Sequence, residues 1–151
     1  MDRTSLPPVL AAEDEETDAF ILRRAFEMAS VPQTLVVVAD GQEAVDYLVG
    51  NPPYADRVLH PLPGLLLLDL KMPRMNGFDV LAWLASRPDF KRLPIVVLSS
   101  SPDDADILRA RQMGARDYFV KPNSLSDYVK IVQSLHARWL AGVPNPQPSC
   151  S

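Results

Sequence analysis

Apolar positions along this chain alternate between two periods. Short, unbroken apolar runs read as strands buried on both faces. They lie at Pro8 to Ala12, the β-branched Thr34 to Val38, Leu65 to Asp69, Ile95 to Ser99 behind Pro94, and Asp117 to Val120. Between them the spacing turns helical. Thr17 to Ala29 carries Phe20, Ile21, Ala25 and Met28 on one side, with Arg23, Arg24 and Glu27 elsewhere. Gln42 to Val49 follows Gly41 as a short helix, and Phe78 to Ser86 follows Gly77 with Phe78, Leu81 and Ala85 at helical spacing. Asp104 to Met113 is a helix stopped by Gly114. Leu125 to Leu140 closes the series, with Leu125, Tyr128, Val129, Val132, Leu135 and Trp139 on one face. A strand followed by a helix, repeated five times, predicts an α/β fold: right-handed crossovers give a doubly wound, five-stranded parallel sheet with helices on both faces.

Proline punctuates this pattern. The chain has 15 prolines, about twice average usage. Pro52, Pro53, Pro61 and Pro63 mark Asn51 to Gly64 as a loop or insertion (51–64), and Pro144, Pro146 and Pro148 mark 143–151 as a mobile tail. Residues 1–142 then form one domain. Apolar residues make up 47% of the 151, the formal net charge is −4, and the pI is about 5.1. That acidity argues against bulk nucleic-acid binding. No run approaches the about 18 apolar residues of a membrane span, and Met1-Asp2-Arg3-Thr4 begins no secretory signal. Cys150, the only cysteine, excludes an internal disulfide and a cysteine-based metal site, so a reducing cytoplasm is the expected setting.

A parallel sheet brings all strand C-termini to one edge, where open α/β folds place their ligands. Taken singly, the polar residues there have bland readings. Asp69 caps a turn before Met72-Pro73, Glu13 to Glu16 is an acidic helix start, Ser99-Ser100-Ser101 is a capped loop, and Lys121 is a surface charge. Together they are complementary: carboxylates Glu13, Asp14 and Asp69, the hydroxyl of Ser99 and the ammonium of Lys121 share one crevice. Clustered carboxylates repel one another unless a cation joins them, and Mg²⁺ takes such oxygen ligands. The chemistry that uses this set is phosphoryl transfer to a carboxylate. Asp69 is then the nucleophile, with Lys121 and Ser99 on the phosphoryl oxygens.

With these residues in view, the chain resembles the receiver domain of two-component response regulators from about Val9 to Leu140. The match rests on Glu13-Asp14, the block Leu-Leu-Leu-Asp69-Leu-Lys-Met-Pro-Arg-Met-Asn-Gly77, Val-Val-Leu-Ser99, and Gly114-Ala-Arg-Asp-Tyr-Phe-Val-Lys121-Pro122. The resemblance implies a flavodoxin-like sheet of order 2-1-3-4-5 and Asp69 as phosphoacceptor. It also implies Mg²⁺ (or Mn²⁺) held by Glu13, Asp14, Asp69 and the backbone carbonyl of Lys71. Ser99 and Lys121 become the phosphate-binding pair, Ser99 and Tyr118 the switch, and Lys121–Pro122 a cis peptide bond. Two departures stand out: Glu13 replaces the commoner aspartate, and 51–64 is longer than in minimal receivers. That loop and the final Trp139-Leu-Ala-Gly-Val-Pro144 are similar to the stand-alone receivers that serve bacterial phytochromes. The implied partners are a sensor histidine kinase of phytochrome type and an unnamed downstream protein. By analogy with that subgroup a homodimer fits, through the broad apolar face of the last helix.

No output domain follows Leu140, so the expected output is a surface altered by phosphorylation. Arg109, Arg111 and Arg116 make the fourth-helix region basic, which reads as a solvated face, and Trp83 lies off its helix's apolar stripe, at a core edge or a contact surface. Competing readings are a phosphorelay shuttle, a degenerate receiver acting as a binding module, a haloacid-dehalogenase-like phosphatase, and a plain nucleotide-binding fold. The phosphatase needs a second aspartate where Lys71 stands, and the nucleotide fold needs a Gly-rich loop where Glu13 to Glu16 stand. Apart from catalysing changes to its own Asp69, the chain is expected not to be an enzyme.

Overall fold

The computed structural model describes residues 6–141. The proline-rich tail 143–151 and Cys150 lie outside the described residues. Five parallel strands form one sheet: β1 (Val9–Ala12), β2 (Leu35–Val38), β3 (Leu65–Leu68), β4 (Ile95–Ser99) and β5 (Asp117–Val120), in the order β2-β1-β3-β4-β5. Helices α1 (Glu16–Met28), α2 (Gly41–Val49), α3 (Gly77–Ala85) and α4 (Asp104–Gln112) make the crossovers, and α5 (Leu125–Leu135) follows β5. The order reverses at β1, which pairs with both β2 and β3, and that point is the crevice expected for a ligand.

Two apolar layers cover the sheet, and the two-residue repeat of the strands assigns side chains to them. Val9, Ala11, Leu65, Leu67, Val96 and Leu98 pack under α1 and α5, against Leu22, Phe26, Tyr128, Val132 and Leu135. Leu10, Ala12, Leu66, Leu68 and Val97 pack on the other face, against Tyr47, Leu48, Val80, Leu81 and Leu84. Burying both faces explains why these strands are nearly pure apolar runs. The periodicity of the first helix is corrected. Its buried residues are Leu22, Ala25 and Phe26, while Phe20 (68% exposed) and Met28 (51%) face outward. The sheet selects the i, i+3, i+4 set that meets it, and a longer list of apolar residues does not reveal which set that is. The last helix ends sooner than its apolar stripe. After Leu135 the chain widens into a π turn, His136–Leu140, closed by Ala141 N–H donating to His136 O at 2.6 Å.

The long 51–64 loop is tied down. Arg57 Nη1 donates to Tyr47 O at 2.9 Å and His60 O at 3.0 Å, and its Nη2 donates to Leu48 O at 2.8 Å. One guanidinium thereby satisfies two of the carbonyls that the end of α2 leaves without intrahelical partners. Trp83 is half-buried against Phe90, with ring centres 5.7 Å apart, and carries Arg87 over its face. Arg109 is not simply solvated, because its guanidinium lies 4.0 Å from the Phe78 ring centre. No helix among the described residues is long and apolar enough to cross a membrane.

Candidate functional site

The backbone ladder continues one residue past the strands. Glu13 N donates to Val38 O (2.9 Å), Asp69 N to Ala12 O (3.2 Å) and Lys121 N to Ser99 O (2.8 Å). The continued ladder fixes three functional residues in register. Glu13 keeps the parity of Val9 and Ala11, and Asp69 that of Leu65 and Leu67, so both lean toward the α1 face. There the Lys121 ammonium meets Glu13 Oε1 at 2.7 Å, Asp18 Oδ2 at 2.8 Å and Asp69 Oδ2 at 3.0 Å. Glu13 and Asp69 are buried, Lys121 is partly buried, and the side chain of Asp18 is the most exposed of the four. Asp18, on α1, is absent from the sequence-derived set. Its signal was present as an acid four residues after Asp14, masked by the surrounding run of acids.

Carboxylate oxygens of Glu13, Asp14 and Asp69 lie within 4.8 Å of one another. Three hard oxygen donors at this spacing fit a small divalent cation such as Mg²⁺ or Mn²⁺ and do not suit a soft metal. The electrostatics agree. Burial pushes the Glu13 carboxyl from its ordinary 4.5 up to about 7, against the opposing pull of Lys121 and the Glu15 N–H. Burial alone would lower Lys121, yet hydrogen bonds to Asp18 and Glu13 and the charge of Asp69 hold it above its ordinary value. One ammonium among four carboxylates leaves the site short of positive charge. Because a cation binds the deprotonated carboxylate, Mg²⁺ affinity is expected to rise with pH through about 7. Calorimetric titration on both sides of that value checks it, and a flat profile would remove Glu13 from the ligand set. The sign for stability is opposite. The folded Glu13 holds its proton more tightly than the unfolded chain, so its contribution to the metal-free fold is present below 4.5 and lost as pH rises to about 7.

Ser99 and Tyr118 belong to an adjoining group. Ser99 is fully buried, and its Oγ accepts from Ser101 N at 3.2 Å. Tyr118 is buried with its hydroxyl donating to Ser101 O at 2.8 Å, and Ser101 Oγ donates to Asp106 on α4 at 2.7 Å. Burial raises the Tyr118 phenol, opposed by its hydrogen bonds to Ser99 and Ser101. Lys71 N donates to Asp69 Oδ1 at 3.3 Å. The expectation of a cis bond before Pro122 is corrected. Pro52–Pro53 is the one cis peptide among the described residues, and Lys121–Pro122 is trans. Trans is the form that X–Pro bonds favour by about 0.5–1 kcal/mol, and from it Lys121 already reaches all three carboxylates.

The loop after Asp69 is held from behind by contacts that no local sequence pattern predicts. Arg74, at φ 64°, donates from Nε to Asp40 Oδ2 at 2.9 Å, while Asp40 Oδ1 caps α2 through Glu43 N. Gly41 N donates to Met75 O, and Gly77 N to Leu70 O, both at 3.0 Å. Asn76 and Asp79 form a reciprocal cap on α3. Gly77 sits so close that an added Cβ would lie 2.4 Å from Asp69 O.

Comparison with known proteins matches this geometry to one family. The family model described as response regulator receiver domain matches residues 9–133. Response regulator Rcp1 of Synechocystis sp. is 32% identical over 148 residues, spanning 97% of this chain and 99% of Rcp1. The crystal structure of RPA3017, a response regulator in red light signalling of R. palustris, aligns with a TM-score of 0.86 and 37% identity over 95% of this chain and all of that one. The phosphorylated cyanobacterial phytochrome response regulator RcpA aligns at 0.83, with 34% identity over 94% of this chain and 99% of RcpA. The Mn²⁺-bound form of Rcp1 aligns at 0.80, with 30% identity over 93% of this chain and 99% of that one.

Proposed function

The chain belongs to the response regulator receiver domain family, whose members are signalling proteins, and on that premise we propose that Asp69 accepts a phosphoryl group from a sensor histidine kinase. The single observation that carries this is the meeting of Glu13, Asp14, Asp69 and Lys121 at the C-terminal edge of a parallel sheet. Relatives described by phytochrome and red light signalling support a phytochrome-type kinase as the donor. The exchange takes place in the cytoplasm, in keeping with a single cysteine and no disulfide.

Asp69 Oδ attacks phosphorus as the bond to the donor nitrogen, or to the acetate oxygen of acetyl phosphate, breaks. Lys121 stays on the acceptor side and pairs with a phosphoryl oxygen, and Ser99 Oγ turns its hydroxyl toward another. Glu13, Asp14, Asp69 and the backbone carbonyl of Lys71 would hold Mg²⁺ or Mn²⁺, which neutralises donor charge when bound. Lys71 stands where a phosphatase would need a second aspartate, so Asp69 receives phosphate and does not turn over an external substrate.

The acyl phosphate adds about −2 of charge and three acceptor oxygens. Drawing Ser99 Oγ away from Ser101 N disturbs a short chain of contacts. Tyr118 holds the carbonyl of Ser101, and Ser101 holds Asp106 of α4. Tyr118 therefore already stands inward, and the switch works on the Ser99–Ser101 link and α4 instead of requiring the ring to enter. Moving such an equilibrium from 1:99 to 99:1 takes about 5.5 kcal/mol. Ser99 and Lys121 together with the cation can supply that, whereas one contact cannot.

Intact-mass analysis after incubation with acetyl phosphate tests the reading. The wild-type chain with Mg²⁺ is expected to gain the mass of one phosphoryl group, and excess chelator to prevent the gain. No gain with Mg²⁺ present overturns the proposal. Phosphotransfer profiling against histidine kinases then separates a phytochrome-type donor from a general phosphorelay shuttle.

A further inference from the structure

We propose that Asp18 is a positioning residue for phosphoryl transfer, the anchor that keeps the Lys121 ammonium aimed while its other partners change. The proposal rests on the reading of Asp69 as acceptor. An ammonium has three N–H donors, and Lys121 places them against Glu13, Asp18 and Asp69 at 2.7, 2.8 and 3.0 Å. Two of those three partners are altered by the reaction. Asp69 loses its charge when one of its oxygens becomes the bridging oxygen of the acyl phosphate. Glu13 belongs to the carboxylate cluster that a cation would claim, so part of its charge is drawn away from the ammonium when the cation binds.

Asp18 is outside that cluster. It projects from α1, which packs with α5 across the sheet face, so its carboxylate is held by an element that the chemistry leaves in place. Its side chain is 30% exposed, against 5% for Glu13 and 6% for Asp69, so it stands at the mouth of the site and keeps its charge cheaply. With one N–H fixed on Asp18, the ammonium hands the other two from carboxylate oxygens to phosphoryl oxygens by a small rotation. Without it, Lys121 collapses onto Glu13 and must break that contact at each transfer.

The test compares wild type, Asp18→Ala and Asp18→Asn for the rate of phosphorylation by acetyl phosphate over a range of donor concentrations. The Ala variant is expected to lower the maximal rate about tenfold, as for one charge-assisted hydrogen bond, with the half-saturating concentration little changed. The Asn variant keeps an acceptor oxygen in place and is expected to recover to within about threefold of wild type. Mg²⁺ affinity, read by calorimetry, should not fall in either variant. Thermal melts confirm that both fold. An Ala variant that matches wild type overturns the proposal and leaves the acceptor reading standing. An Asn variant as slow as Ala, or a loss of Mg²⁺ affinity that accounts for the slower rate, also overturns it. No phosphoryl adduct on wild type removes this proposal and the acceptor reading together.

Discussion

Asp69→Asn is expected to take up no phosphoryl group from acetyl phosphate under conditions that load the wild-type chain, while folding normally. The amide is isosteric but lacks the nucleophilic oxyanion, so the acyl phosphate cannot form. The surroundings should tolerate the change. Lys121 retains Glu13 and Asp18, and one of the mutually repelling carboxylates is gone. A melting temperature near that of wild type would therefore assign the loss to chemistry and not to a damaged fold. Mg²⁺ affinity should also fall, because one of three anionic oxygens of the cluster becomes a weaker neutral ligand. Intact mass decides the matter, and an adduct on the Asn variant equal to that on wild type would move the acceptor to another residue.

Gly77→Ala is expected to cause a large loss of stability for a single added methyl. Its Cβ would fall 2.4 Å from Asp69 O, 2.8 Å from Leu70 Cα and 3.1 Å from Asp69 C. These are backbone atoms just past the end of β3, so no side chain can rotate to make room. Overpacking costs about 1–3 kcal/mol where side chains can adjust, and rigid backbone puts this case at about 3 kcal/mol or more. For a chain of this size that lowers the melting temperature by roughly 10 °C. Relief requires α3 to lift from β3, which moves Asp69 itself, so phosphorylation should slow as well. Gly114→Ala is the control: at φ 115° it meets nothing within 4 Å and suffers backbone strain alone. A Gly77→Ala variant that melts like wild type would refute the tight approach of α3 to the end of β3.

The strands were legible because both faces of the sheet are covered. Leu65 to Leu68 and Ile95 to Val97 admit few polar residues, and such runs between turn signals have few other uses. The site was legible for a related reason. Register fixes where a strand ends, and a charged residue just past an apolar run must lie at the sheet edge, so Glu13, Asp69 and Lys121 could be grouped before any coordinates. Helix faces were less legible. Phe20 and Met28 carry the same apolar label as Leu22 and Phe26, yet only the latter pair meets the sheet. Contacts made by residues away from the strand ends were not legible. Arg74 and Asp40 are 34 residues apart and Lys121 and Asp18 are 103 apart, and no periodicity links either pair.

The sequence by itself therefore determined the alternation of strands and helices, the parallel sheet, and the residue types gathered at its C-terminal edge. These follow from local rules: apolar period, turn chemistry and the handedness of crossovers. The tertiary structure alone decided which carboxylates share the Lys121 ammonium, that Asp18 is one of them, that Tyr118 rests inward on Ser101, and that Lys121–Pro122 is trans. The ion pairs and the Tyr118 contact depend on distances of about 3 Å between groups from different elements. Such distances are set by how helices seat on the sheet, a balance of packing and desolvation summed over the whole core that no single segment encodes.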